Sequence, residues 1–221
     1  TGTYAENPHY GVSKEFWGRA AGWYFFALVD ILEQMDKAGK HDDDYTELKR
    51  QLEAVADGLL DRQDPTTGCW CQLLQYGNGE TPNGCSTANY IESSATAIFM
   101  ATFLKGIRLG YLDKTKYEEP AKKAYKGFVE QFIVRNTNGE DDGNAYSIIN
   151  SCASAGLSGD RDGTAKYYLA ENSNNDTQII TSYTEGKVLG AFILAATEYE
   201  RAYLKPRTTG DLSCNCLKVA L

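Results

Sequence analysis

The chain has no apolar run long enough to span a bilayer, and its start, Thr1-Gly2-Thr3-Tyr4, carries neither a basic segment nor an apolar one behind it. It is expected to be soluble, with any secretion signal outside it and with periplasm and cytoplasm both open as compartments. Basic charge is scarce. Against 30 Asp and Glu stand 22 Lys and Arg, a net charge of −8, so no cationic stripe exists to release counterions. Nucleic acid and anionic membrane are therefore not expected as partners. The six cysteines, Cys69, Cys71, Cys85, Cys152, Cys214 and Cys216, include no Cys-x-x-Cys pair, so no metal site and no other cofactor is expected. They read as free or core thiols, with a disulfide through the Cys-x-Cys pairs left open for an oxidising compartment.

What is present suits one globular domain: 221 residues, 42% hydrophobic and 24% charged. Phe16-Trp17-Gly18-Arg19-Ala20-Ala21-Gly22-Trp23 places two tryptophans and an arginine in the opening turns of a helix. With the helix running from about Gly18, Arg19 and Trp23 stand four apart and share a face. A guanidinium there can lie against an indole and offer its N–H fork to the carboxylate of a flat ligand. Tyr24, Leu28, Ile31 and Met35, with Ala20 and Ala27 beside them, are expected to face a core.

Residues 1 to 12, broken by Pro8 and Gly11, read as a lead-in loop in which His9 is solvated. Ser13 is expected to cap the first helix, which Gly39 stops near Ala38. Asp44 and Glu47 have capping-box spacing for a one-sided second helix to about Arg62. Asp64-Pro65-Thr66-Thr67-Gly68 is a turn, and Cys69 to Leu74 is extended. Asn89 and Glu92 have the same capping spacing for a third helix, apolar nearly all round and ending near Gly110. A one-sided fourth helix to about Val134 tolerates Pro120 in its first turn. Residues 136 to 187 form a long polar excursion with extended pieces at Tyr146 to Asn150 and Lys166 to Leu169. A fifth helix, Glu185 to Tyr203, is again apolar on most sides.

Helices apolar on several faces thus alternate with one-sided helices, as in a ring of helical hairpins whose inner members run parallel. Their N-termini would open at one mouth, which collects Trp17, Arg19 and Trp23; Asn89, Glu92, Ser93 and Ser94; and Thr184, Glu185 and Lys187. Three such N-termini suit an anion. Glu92 is read either as a helix cap or, with Ser93, as site lining.

Trp17-Gly18-Arg19-Ala20-Ala21-Gly22-Trp23, preceded by the Gly11 to Phe16 run, resembles the central motif of the unsaturated rhamnogalacturonyl hydrolases of glycoside hydrolase family 105. Asn89 to Ala97 with Lys105 to Leu112 is similar to a second signature. Arg161-Asp162-Gly163 with Tyr167 to Leu169, and Gly190 to Ala196, are similar to the family's end. The resemblance covers roughly residues 8 to 204 and only the second half of the family's usual length.

It implies an all-α fold, an (α/α)6 toroid of the six-hairpin glycosidase type. Here that would be a partial toroid of about five long helices with short extended segments in loops. Residues 1–204 would form the C-terminal half of a hydrolase domain and 205–221 an unassigned tail. The implied activity is removal of an unsaturated galacturonyl residue from pectin-derived rhamnogalacturonan oligosaccharides by hydration of its C4–C5 double bond. Arg19 would hold the uronate carboxylate, with Trp17 and Trp23 flanking the ring. The family's proton donor is an aspartate well upstream of the tryptophan motif. None occurs among the sixteen residues before Trp17, so no catalytic residue is nominated and the chain alone is expected to be inactive. The alternative is a non-catalytic module that binds acidic oligosaccharide or serves structure. Since half a toroid exposes the flanks of its inner helices, two copies are expected to close on each other.

Overall fold

The computed structural model describes residues 13–135, 146–157, 161–171 and 177–204, and five long helices carry the fold. They are α1 (Gly18–Lys37), α2 (Asp43–Leu60), α3 (Ser93–Leu109), α4 (Lys114–Phe132) and, after the short α5 (Ala165–Tyr168), α6 (Gly186–Tyr203). Two antiparallel ribbons join them, β1 (Ile133–Arg135) with β2 (Tyr146–Ile148) and β3 (Ser151–Cys152) with β4 (Ile179–Ile180). The lead-in loop with His9, part of the long excursion, Cys214, Cys216 and the 205–221 tail lie outside the described residues.

Several helix starts differ from expectation, each because a side chain or strand took the backbone elsewhere. Ser13 does not cap α1; its hydroxyl donates to the Glu15 carbonyl at 2.7 Å. Phe16 and Trp17 stay extended instead, since Leu74 N–H donates to Phe16 O and Gly18 N–H to Gln72 O, both at 2.9 Å. On α2 the cap is Asp42, which accepts from Tyr45 N–H at 3.1 Å, while Glu47 is taken by Arg50. Asn89 does not cap α3, because its amide pins a loop by donating to Leu73 O and Tyr76 O. Glu92 is the cap, accepting from Ala95 N–H at 2.6 Å. At the far end, left-handed Gly110 (φ 76°) stops the helix as anticipated.

Pro120 lies in the second turn of α4, not the first. The missing N–H falls on an outer helix beside exposed Lys116, and Pro120 O accepts from Gln63 Nε2 at 2.9 Å. α4 ends at Phe132, since Ile133–Arg135 pairs with Tyr146–Ile148. Residues 166–168, expected to be extended, are helical because Thr164 Oγ1 accepts from Tyr167 N–H and caps α5.

Inner and outer helices alternate along an arc. α3 packs against α1 on one side and α6 on the other, with α2 outside α1 and α4 outside α3. α4 also reaches α6, where Tyr125 stacks on Tyr199 with centroids 3.8 Å apart and Phe128 on Phe192 at 4.5 Å. The inner helices run parallel. Gly18 faces Ala95 and Gly22 faces Ile98, while Lys105 reaches Asp30 and Glu33 at 2.6 and 2.7 Å. On the other side Arg108 meets Glu198 at 2.5 Å. A Cβ on Gly18 would come within 2.9 Å of Cys71 O and one on Gly22 within 2.9 Å of Ile98 Cγ2, so these glycines set how closely α1 approaches α3.

That approach rotates α1 away from its expected stripe. Gly18, Gly22, Phe25, Leu28, Val29 and Leu32 are buried, whereas Tyr24 and Ile31 are 48% and 45% exposed, Ala20 and Ala27 are exposed, and Met35 is half-buried. The main core joins Phe25, Trp70, Phe99, Phe103 and Phe128, with Trp70 Nε1 donating to Leu59 O at 2.7 Å. A second cluster of Leu73, Tyr167, Tyr168 and Leu169 lies beneath Trp17.

Candidate functional site

The N-termini of the three inner helices meet at one end of the arc. Glu92, at the start of α3, carries a fully buried carboxylate, and a buried charge persists only when it is paired and hydrogen-bonded. It accepts from Ser94 Oγ at 2.8 Å, Ala95 N–H at 2.6 Å and Cys152 N–H at 2.8 Å. Its counter-ion is Arg19, with Nη2 3.5 Å from Glu92 Oε1. Arg19 Nε donates to Ser94 Oγ at 2.7 Å, and Nη2 to Ser151 Oγ at 3.5 Å and to the Cys152 carbonyl. One knot therefore ties α1, α3 and β3 together. The neighbouring Cys152 thiol is pushed up to about 11 by burial.

The five residues nominated from sequence do not form one open site. Trp17 and Arg19 do associate, the guanidinium carbon lying 5.3 Å from the indole centroid. Trp17 is half-buried, donates from Nε1 to Gln72 Oε1 at 3.1 Å and stacks on Tyr168. Trp23 is not part of the pair. It is 47% exposed, while Arg19 is 2% exposed, because the close approach at Gly18 and Gly22 turns residue 19 toward α3 and leaves residue 23 open. Glu92 and Ser93 are both fully buried and line no open surface. The Ser93 hydroxyl makes no hydrogen bond among the described residues.

Arg19 is thus a strut between elements, with its Nε and Nη2 engaged, and not a free carboxylate fork. The expectation that three helix N-termini offer bare N–H groups to an anion is corrected in part, at α3 and at the first residue of α1, while α6 has no side-chain cap. Gly18 N–H donates to Gln72 O, Ser93 N–H to Asn150 O and Ala95 N–H to Glu92. Glu185, the N-cap residue of α6, adds a second carboxylate, paired with Lys187 and 3.5 Å from Ser151 Oγ.

Sequence reasoning missed the partners that make the knot, Ser151 and Cys152, and the two that hold Trp17, Gln72 and Tyr168. Their distance along the chain, 133 residues between Arg19 and Cys152, left no local signal. It also passed over Glu15, whose carboxyl is raised above its ordinary value by burial against hydrogen bonds from Tyr76, Ala165 N–H and Gln75. That carboxyl joins the lead into α1 to the start of α5. Its place directly before Phe16-Trp17 was the available hint.

The family model described as Glycosyl Hydrolase Family 88 matches residues 3–203. A 24.9 kDa protein in the picA locus of Rhizobium radiobacter is 30% identical over 196 residues, covering 87% of this chain and 75% of its own. An unsaturated 3S-rhamnoglycuronyl hydrolase of Formosa agariphila is 30% identical over 117 residues, 53% of this chain and 28% of that protein. Among solved structures, a glycoside hydrolase from family 105 of C. acetobutylicum superposes with a TM-score of 0.71 at 34% identity, over 88% of this chain and 48% of that one. The chain spans about half the length of that structure. Its arc is a partial toroid of the six-hairpin glycosidase type. No described helix is long and apolar enough to cross a membrane. With nearly its whole length matched by the family model and its fold shared with a family 105 structure, the chain belongs to Glycosyl Hydrolase Family 88.

Proposed function

We propose that the chain is one wall of an unsaturated glycuronyl hydrolase, serving uronides of the pectin-derived rhamnogalacturonan type. The observation that carries this reading is the family match over residues 3–203. The rhamnoglycuronyl substrate in the name of the Formosa relative supports a uronic acid joined to rhamnose. In this reading residues 1–204 are the C-terminal half of a hydrolase domain. The chemistry is hydration of the C4–C5 double bond: a carboxylic acid delivers a proton to one alkene carbon, water adds to the other, and the resulting hemiketal opens to release the sugar. Because the sixteen residues before Trp17 contain no aspartate, the proton donor lies outside this chain, and the chain alone does not turn over.

Arg19 and Glu92 act in this reading by holding the mouth rigid, and the half-buried indole of Trp17 is the aromatic surface proposed to meet a flat unsaturated ring. The test combines two measurements on the isolated chain. Ultraviolet absorbance of an unsaturated galacturonyl-rhamnose disaccharide should stay constant, and turnover would show that a proton donor is present. Calorimetry with the same sugar should give saturable heat that Trp17→Ala removes, whereas no heat at millimolar sugar would end the substrate assignment.

A further inference from the structure

Phe16 and Trp17 owe their place to two glutamines on the extended segment that follows Trp70. Gln72 accepts from Trp17 Nε1 and donates to Tyr168 O, both at 3.1 Å, so one amide joins the indole to α5, on whose Tyr168 it also stacks. Gln75 accepts from Phe16 N–H at 3.0 Å through Oε1 and donates through Nε2 to the carboxylate of Glu15. An amide presents a donor on one side and an acceptor on the other, whereas an ionised carboxylate only accepts. Glu15 therefore decides which way Gln75 faces, and with it whether Phe16 N–H has a partner.

The same carboxylate holds the first residue of α5. Besides Gln75 it takes hydrogen bonds from the Tyr76 hydroxyl and from Ala165 N–H, at the start of the short helix whose last residue is Tyr168. Donors from two separate segments thus converge on one half-buried group. A neutral acid or amide there would accept less and would turn a donor of its own toward those donors.

We propose that Glu15 is a positioning residue for Trp17, its carboxylate orienting Gln75 and anchoring α5 so that the indole keeps one setting at the mouth. The inference rests on the substrate reading only for the statement that a sugar ring meets that indole. Burial raises the Glu15 carboxyl above its ordinary value, so falling pH neutralises it before an exposed glutamate and should release the indole. The titratable groups around it are Tyr76 and Glu80 from the loop after Gln75, Cys85, and Lys166 and Glu171 at α5 and its exit. Tyr76 and Cys85 are raised by burial and stay protonated in acid, and Glu171 is lowered, chiefly by the hydrogen bond from Thr87 N–H.

The test is fluorine NMR of the full chain labelled with 5-fluorotryptophan, in which Trp17, Trp23 and Trp70 give separate lines assigned by Trp17→Phe and Trp23→Phe. As the pH falls, the Trp17 line should move and broaden while the line of fully buried Trp70 stays. Glu15→Gln should hold the Trp17 line at its acid position at every pH, and Glu80→Gln should leave its titration in place. A Trp17 line that does not move with pH in the unaltered chain overturns the proposal, whether or not Glu15→Gln folds. So does a line that titrates equally with and without Glu15. Calorimetry adds the sugar: in Glu15→Gln the Kd for the unsaturated galacturonyl-rhamnose disaccharide should rise at least about tenfold, and an unchanged Kd also overturns the proposal. No heat from the unaltered chain ends the substrate reading and leaves the fluorine result to decide this one.

Discussion

α3 and α6 are apolar helices of nearly equal length, yet every residue from Ser93 to Leu104 is buried, whereas α6 buries Val188, Ala191, Ala195 and Glu198. Place in the arc separates them. α3 has inner neighbours on both sides and α4 behind, while among the described residues α6 has α3 and α4 on one side only. An apolar face in sequence therefore states how many neighbours a helix is built to have, and the described residues supply them all for α3 and only some for α6. α1 stands with α6 in this respect.

That comparison is sharpest in core deletions. Phe103→Ala, removing a fully buried ring, should cost about 3–5 kcal/mol in urea unfolding. Ile193→Ala, measured under dilute monomeric conditions, should stay within about 0.5 kcal/mol. Equal costs would break the comparison. Arg19→Ala should cost nearly as much as the ring deletion, about 3–5 kcal/mol, because it strands the buried Glu92 carboxylate. The double variant Arg19→Met/Glu92→Gln should recover part of that loss, and failure to recover would mean that the arginine matters for something other than its partner.

Helical glycines give a smaller contrast of opposite sign. Gly18→Ala meets Cys71 O and should destabilise by about 1–3 kcal/mol, whereas Gly190→Ala stands in open space and should stabilise the dilute monomer by about 1 kcal/mol. Thiol labelling separates covered from open regions without mutation. Burial pushes Cys69 and Cys71 up to about 12, so among the cysteines of the described residues alkylation mapped by peptide should reach half-exposed Cys85 first and those two only on unfolding.

The smallest effect is electrostatic. Hydrogen bonds from Lys105, then Lys37, lower Glu33 from 4.5 to about 2. A lowered carboxyl contributes stability that is complete above its ordinary value and lost as pH falls from about 4.5 through 2. Lys105→Met should flatten that part of the acid-unfolding curve, and an unchanged curve would show that the α1–α3 ion pair adds nothing.

Much of the fold was legible because helix starts and stops are local. Gly39 and Gly110 take left-handed backbone, Glu185 precedes α6, and Asp64 gathers the N–H groups of Thr66 and Thr67 in the expected turn. The errors fell where a distant partner competed for a local group. Asn89 looked like a cap and serves a loop, Ser13 looked like a cap while Gln72 and Leu74 hold the chain extended, and 166–168 coils because Thr164 precedes it. The candidate site was legible as residue types and not as an arrangement. The Arg19–Trp23 pair follows from a helix wheel alone, but the wheel does not say which side meets α3.

By itself, then, the sequence determined five long helices, their alternation of buried and one-sided faces, and membership of a glycosidase family. The helices and their faces depend on residue order within a few turns, where hydrophobic spacing and backbone preference act, and the family on motifs matched along the chain. Tertiary structure alone decided that Arg19 turns inward to Glu92, that Trp17 and not Trp23 lies beside it, and that α1 and α6 keep a side left uncovered by the described residues. The reason is that Gly18 and Gly22 let two helices approach until one rotation was possible, and the partners waiting there, Ser94 and Cys152, lie 75 and 133 residues away along the chain.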